Sequence, residues 1–418
     1  MAAKYPIVVY GVSGYTGKLI AEYLTRRRLP FVASGRDRGR IEAALKEAPG
    51  AHVADVQPVE HDEAALTKLF SGAKIVIAVV GPFGQLGEPV LRAALAAGAN
   101  YVDTTGEQDW ALLARDKYGK AFADKGLVCA PGCSYMWTAG MIGAEIALED
   151  PTIHTLDILY APKSMPTIAS TLSFLRMLCM PNPMKLYGQM AAWPMGHRSE
   201  VVVPGRHTVH MGLPWGGGFE PIWLEHDARV LNCQVQVAFE KGPLVDFVIG
   251  RMDEYQKLAG TKTPAEMEQI TNAWGMAIAQ TPPREVIPLN TNIISVWARG
   301  TNGGKHVMLY STCAYLSTGS LCAEAAKRVL NGQVKATGFQ PATRAFGHRE
   351  LMAALAEDGL HSWTAQVTRP RRRCRPAASR AGHRARRRRC PPAARPPTGH
   401  RCAAGGAACR HAAACRGG

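Results

Sequence analysis

Ile7-Val8-Val9-Tyr10-Gly11-Val12-Ser13-Gly14-Tyr15-Thr16-Gly17 decides the fold of this 418-residue chain. A β-branched apolar run feeds a glycine-rich turn, and a helical pattern follows over residues 18–25. A second apolar run, Phe31-Val32-Ala33, then ends in Ser34-Gly35-Arg36. Strand, glycine loop, helix and strand, in that order, form the first half of a dinucleotide-binding fold.

The chemistry of a pyrophosphate explains the glycines. It binds at a helix N-terminus through backbone N–H groups, which side chains would block. The spacing is G-x-x-G-x-x-G, and Gly11, Ser13, Gly14, Tyr15, Thr16 and Gly17 are the candidate cofactor-binding residues of the loop. A nucleotide-triphosphatase phosphate loop is excluded, because Leu19 follows Gly17-Lys18 where a Ser or Thr would meet Mg²⁺. The end of the second strand reads the ribose. An NAD enzyme usually carries Asp or Glu there, whereas this chain has Ser34, Gly35 and Arg36. A guanidinium pairs with the dianionic 2′-phosphate, so the expected cofactor is NADP(H). Arg38 and Arg40 read as a solvated helix face. Asp55, after a third short run, is expected near the adenine.

Further motifs follow: Ile75-Val76-Ile77-Ala78-Val79-Val80-Gly81-Pro82-Phe83, Gly87-Glu88-Pro89-Val90, and Ala97-Gly98-Ala99-Asn100-Tyr101-Val102-Asp103-Thr104-Thr105-Gly106-Glu107. Together with the opening loop and Ser34-Gly35-Arg36, they resemble the saccharopine dehydrogenase-like family, which includes trans-acting enoyl reductases. The resemblance covers roughly residues 5–130. It implies a Rossmann domain, NADP(H) and oxidoreductase activity. A weaker likeness continues through Ser170-Thr171-Leu172-Ser173-Phe174-Leu175-Arg176, Pro214-Trp215-Gly216-Gly217-Gly218 and Ala345-Phe346-Gly347. One departure stands out. Where much of the family has Gly-Phe-Asp-Ser-x-Pro, this chain has Gly132-Cys133-Ser134-Tyr135-Met136-Trp137, so the family's substrates are not carried over.

The net charge of +16 is unevenly placed. Residues 367–418 hold 15 Arg and no Asp, Glu or Lys, which leaves +1 for residues 1–366. The body therefore gives no reason to expect nucleic-acid binding. The tail lacks apolar periodicity and is expected to be disordered. It reads either as a basic arm for nucleic acid or as a frame-shifted end, and the second explains its abrupt composition and five cysteines. The other six cysteines form no C-x-x-C pair, so no metal site is expected and a reduced, cytoplasmic setting fits. No apolar run approaches the roughly 18 residues of a membrane span, and no signal peptide precedes the first strand.

The expected architecture is α/β. A Rossmann-type parallel sheet covers 1–140 and an α+β substrate and dimerisation domain covers 141–312. A helical return onto the first domain (313–366) and the tail (367–418) complete the chain. Helices are expected at 16–25, 38–46, 62–69, 88–97, 110–125, 169–180, 244–258, 264–280 and up to 330, this last capped by Ser317 or Thr318. Thr301-Asn302-Gly303-Gly304 is expected to turn a hairpin.

Ligands sit at the carboxyl ends of parallel strands. Gly81, Pro82 and Phe83 are expected beside the nicotinamide. Hydride transfer needs a proton donor at the acceptor group. Tyr135 is the first candidate, with Glu107 and His210 next. Asp103 reads instead as a strand-end carboxylate accepting backbone N–H bonds, and Cys133 has no feature that would activate a nucleophile. Lys163, Arg206, His207 and the 215–218 loop are candidate cleft residues. The expected function is an NADP(H)-dependent oxidoreductase acting on a C=O, C=N or C=C group of a small or acyl substrate. The alternative is a non-catalytic dinucleotide-binding sensor or scaffold. A homodimer is the candidate assembly.

Overall fold

The computed structural model describes residues 3–48, 54–214 and 218–368. The 215–217 part of the glycine loop and residues 369–418 lie outside the described residues, and so does the expectation of a disordered tail.

The first sheet grows from the opening motif. β1 (Ile7–Tyr10), α1 (Tyr15–Arg26), β2 (Phe31–Gly35), α2 (Arg38–Glu47), β3 (Ala54–Pro58), α3 (Glu63–Phe70), β4 (Ile75–Ala78), α4 (Phe83–Ala97) and β5 (Asn100–Asp103) alternate without interruption. α5 (Gln108–Leu113) and α6 (Gly119–Asp124), joined by a π-turn, lead to β6 (Val128–Ala130). Every strand of this sheet is parallel to its neighbours. β1 and β4 are buried end to end, as expected of strands covered by helices on both faces.

α7 (Tyr135–Leu148) follows, and thirteen of its fourteen residues are buried. A helix that is apolar all round shows no amphipathic stripe, and that is why residues 132–137 read as a loop in the sequence.

The second sheet begins with β7 (Ile153–Ala161), α8 (Ile168–Arg176), β8 (Pro183–Leu186), β9 (Gln189–Ala192), β10 (Ser199–Val202) and β11 (Val209–Leu213). α9 (Glu220–Trp223), β12 (Asn232–Glu240), α10 (Pro243–Leu258), α11 (Pro264–Ile278), β13 (Thr291–Gly300) and β14 (Gly303–Thr312) continue it. The β13–β14 hairpin turns at Thr301-Asn302. The chain then crosses back. α12 (Ala314–Leu330) lies along α1, and β15 (Gly338–Phe339) adds a seventh strand beside β6. α13 (Ala342–Phe346) and α14 (His348–Glu357) precede β16 (His361–Thr368), which pairs with β14. Val367 and Thr368 thus belong to a strand, two residues past the boundary expected at 366.

The strand orders are β15-β6-β5-β4-β1-β2-β3 and β10-β11-β12-β7-β13-β14-β16, with β8 and β9 branching from β12. Only β7 and β12 run parallel in the second sheet. α7 packs on β7, β13 and β14 and also on α12, α13 and α14, so one hydrophobic core joins both sheets.

Candidate functional site

The glycine loop is built by two glycines and left open by a third. Gly11 has φ +93°, and a Cβ there would lie 2.5 Å from the Val79 carbonyl oxygen. A Cβ on Gly17 would meet the Gly11 oxygen at 2.6 Å, so helix and strand can pack this closely only at glycine. Gly14 is different. It is exposed, has ordinary extended φ/ψ, and a Cβ would have a nearest neighbour at 3.5 Å. The space above it is what an approaching pyrophosphate needs.

The N-termini of α1, α4, α8 and α12 are capped in different ways. Each helix starts with N–H groups that have no partner within the helix. For α4, Glu107 accepts from Phe83 N at 2.8 Å and from Gly84 N at 2.9 Å. For α12, Glu285 accepts from Tyr315 N and Leu316 N, and Ser164 Oγ accepts from Ala314 N. For α8, Thr167 Oγ1 accepts from Ser170 N. Among the described residues no side chain caps α1, whose N-cap is Gly14. Glu285 accounts for α12 beginning at Ala314, ahead of the expected Ser317 or Thr318 cap. Glu107 likewise lets α4 start at Phe83, five residues before the expected Glu88.

At the ribose end, Arg36 is exposed, while Ser34 and Gly35 are buried. The Ser34 hydroxyl donates to the Gln57 carbonyl, and its own carbonyl accepts from Gly11 N and Val12 N. Ser34 therefore braces the strands and does not present its hydroxyl to a ligand. Asp55 is a correction: it pairs with Val32, well before the carboxyl end of the sheet, and accepts from Gln57 Nε2. The end of β3 that faces the cleft is Gln57-Pro58, level with Ser34-Gly35.

α8 makes a second set of polar contacts to these loops. At its start, Tyr315 Oη accepts from Thr167 N and donates to Ser170 Oγ at 2.9 Å. The Tyr315 ring meets Tyr15 of the glycine loop edge-on at 5.1 Å. One turn later Ser173 Oγ donates to Glu107 Oε1, and at the helix end Arg176 reaches Glu107 and Asp109. α8 thus runs from the loop after β1 to the loops after β4 and β5. Ser170, Ser173, Arg176 and Tyr315 had no assigned role in the sequence reading. The signal was present as Thr167 before Ser170, Ser173 and Arg176, a cap followed by polar residues every third position on one face.

The three expected proton donors are all placed elsewhere. Tyr135 is 1 % exposed in the core, edge-on to Tyr160 and His361, and burial pushes its phenol far above the ordinary range. Glu107 is fully buried, with both oxygens taken up by backbone N–H groups, Ser173 and Arg176. It is a cap, not an acid. His210 is buried on β11, with Nδ1 at 3.0 Å from the Thr208 carbonyl. Met211 and Leu213 turn toward the cluster that contains α8 residues, so strand alternation sends His210 to the opposite face.

Asp103 accepts from Thr105 N, Gly132 N, Tyr101 Oη and Trp110 Nε1, and burial pushes its carboxyl up to about 6. Cys133 is buried, and its carbonyl accepts from Cys322 Sγ. Arg206 is half-buried and reaches Thr291, and Lys163 is held through its backbone N–H by Asn292.

Residues 7–129 match the saccharopine dehydrogenase NADP binding domain, and residues 138–369 match a family of unknown function, DUF5938. A lipid droplet localized protein of Caenorhabditis elegans is 32% identical over 143 residues, covering 32% of this chain and 34% of that protein. A trans-acting enoyl reductase of Mycobacterium ulcerans is 29% identical over 137 residues, 32% of each chain. The chain therefore spans about a third of the length of these relatives. Saccharopine dehydrogenase (L-Glu forming) of Saccharomyces cerevisiae shares the fold, with a TM-score of 0.58 at 12% identity over 87% of this chain and 99% of that one. The chain belongs to the DUF5938 family, which here follows the NADP-binding domain of saccharopine dehydrogenase-like proteins.

Proposed function

We propose that the protein is an NADP(H)-dependent oxidoreductase acting on a C=O, C=N or C=C group of a small or acyl substrate. The observation that carries this reading is the uncapped α1, open above Gly14, beside an exposed Arg36. An uncapped N-terminus with a clear approach suits a pyrophosphate, and the guanidinium suits a 2′-phosphate. Gly11, Ser13, Gly14, Tyr15, Thr16 and Gly17 would hold the pyrophosphate, and Gly81, Pro82 and Phe83 would border the nicotinamide. The bound cofactor supplies hydride.

The protein supplies placement and a proton. Ser170 Oγ accepts from both Tyr315 Oη and Thr167 Oγ1. Its own hydroxyl proton is thus left to donate into the cleft, and Tyr315 can replace it. This pair takes the role first given to Tyr135. Met165, Ile168 and Met276 are exposed where α8 packs on α11, an apolar rim that favours an acyl substrate. Two relatives, one named a trans-acting enoyl reductase and one a lipid droplet localized protein, support the same substrate class.

The test is calorimetric titration of the full chain with NADPH and NADH. Arg36→Ala should weaken NADPH by about 1.5–3 kcal/mol, the worth of a charge-assisted hydrogen bond, and leave NADH unchanged. Equal affinity of the unaltered protein for both cofactors would remove the 2′-phosphate site.

A further inference from the structure

We propose that Arg176 is a positioning residue for the nicotinamide half of the cofactor, acting through Glu107 on the loop 81–83. The proposal rests on the cofactor reading above. Arg176 closes α8 and is only 6 % exposed. It meets three carboxylates. Nη1 lies 3.0 Å from Glu107 Oε2, Nη2 lies 2.5 Å from Asp109 Oδ2, and Nε lies 3.1 Å from Glu268 Oε1 on α11. Two of these carboxylates belong to the cofactor domain and one to the second domain, so a single guanidinium ties α8 and α11 to the end of β5.

What Glu107 does next gives the tie its consequence. Its carboxylate holds Phe83 N and Gly84 N, the first amides after Gly81-Pro82. The guanidinium also lies close against the same turn. A Cβ on Gly84 would stand 2.7 Å from Arg176 Nη2, so the guanidinium would have to shift to admit any side chain there. Arg176 is the one cation paired with Glu107 among the described residues. Without it, a carboxylate with no exposed surface keeps its charge on two backbone N–H groups and Ser173 alone. A buried charge stripped of its partner is costly, and the site relaxes by protonation or by moving toward water. Either response loosens the grip on Phe83 and Gly84.

The consequence is local to one half of the cofactor. Arg36 stands at the end of β2, two strands from β4 in the order β4-β1-β2. A disturbed 81–83 loop should therefore reach a ligand that carries the nicotinamide and miss one that carries only the adenosine phosphates. A merely structural role for Arg176 would not separate the two.

The experiment titrates the full chain, by calorimetry, with NADPH and with adenosine 2′,5′-bisphosphate, which has the 2′-phosphate and no nicotinamide. Arg176→Ala is expected to weaken NADPH at least tenfold and to leave the bisphosphate within twofold. Arg176→Lys, which restores the charge without the fork, should fall between. Thermal melting checks that each variant is folded. Should Arg176→Ala fail to fold, Glu107→Gln breaks the same link with little change of volume and is expected to show the same split. Equal weakening of both ligands, or no change in either, overturns the positioning role. If the unaltered protein binds the bisphosphate but gains nothing from the nicotinamide half, the proposal also fails, while the adenosine site stands. If it binds neither ligand, the cofactor reading itself fails, and the proposal with it.

Discussion

The N-termini of α1 and α4 leave neighbouring strands at one edge of the same sheet and are finished in opposite ways. α4 is closed by a buried carboxylate from the next strand's loop, locked by Ser173 and Arg176 of the second domain. α1 begins at an exposed glycine, and no side chain among the described residues reaches it. Both carry the same partial positive charge. The difference is that the first amides of α4 are satisfied within the fold, while those of α1 take no side-chain acceptor among the described residues.

Removing the closed cap should have the largest effect. Glu107→Ala leaves the buried Phe83 N–H, the part-buried Gly84 N–H, a serine hydroxyl and one arm of Arg176 without their acceptor. The expected loss is about 3 kcal/mol of stability, at the lower end for breaking a buried ion pair because Asp109 and Glu268 still hold Arg176. Urea unfolding measures it. A loss below about 1 kcal/mol would mean that the two termini are not so different after all.

The converse change closes the open terminus. Gly14 has φ −76° and ψ 165°, ordinary N-cap geometry, and a Cβ there meets nothing closer than 3.5 Å. Gly14→Asp should therefore stabilise α1, by a few tenths of a kcal/mol. It should also abolish measurable NADPH binding, because a carboxylate occupies and repels the pyrophosphate position. A gain in stability with binding intact would place the pyrophosphate elsewhere.

The same contrast explains what could be read from the sequence. Around α1 the information is local: apolar run, glycines, helix and Arg36 follow one another within thirty residues. The closed termini are made by partners far away in sequence. Glu285 reaches Tyr315 and Leu316, and Arg176 reaches Glu107 across 69 positions. α7 was hidden for another reason: its uniform burial removes the periodicity that identifies a helix. With α7 unseen, Tyr135 looked like a loop residue at a strand end, and β15 could not be seen to join β6 from more than two hundred residues away.

A pH effect separates the core from the cleft. His361 is buried with Nε2 between Ser311 and Ser317, while Nδ1 has no partner, and burial lowers its pKa to about 3 from an ordinary 6.5. The unfolded chain then binds a proton that the folded chain refuses, so stability is lost as pH falls through 6.5. Asp103, raised by burial to about 6, and Glu220, raised by burial to about 8, act in the opposite sense, since the folded state takes their protons first. The wild-type curve mixes these contributions, and a difference curve isolates one. The stability advantage of wild type over His361→Asn should shrink between pH 7 and pH 5, by at most about 1.4 kcal/mol per pH unit. A difference that does not change with pH would mean that His361 takes up its proton at the same pH in the folded as in the unfolded chain, and that burial does not lower its pKa.

The smallest expected effect belongs to the residue that the sequence put first. The Tyr135 hydroxyl is buried without a hydrogen-bond partner, and its ring packs edge-on to Tyr160 at 6.1 Å and to His361 at 6.3 Å. Tyr135→Phe keeps the ring and removes an unpaired polar group. Such a group costs free energy when folded, so the variant should be as stable as wild type, or more stable by up to about 1 kcal/mol. NADPH affinity should not change, since neither the uncapped α1 nor the Glu107 cap touches this ring. Tyr315→Phe provides the contrast at the cleft: it breaks the hydrogen bond to Ser170 while leaving the edge contact with Tyr15 in place. If Tyr135→Phe lowers NADPH-dependent turnover and Tyr315→Phe does not, the phenol that serves the cleft is the buried one.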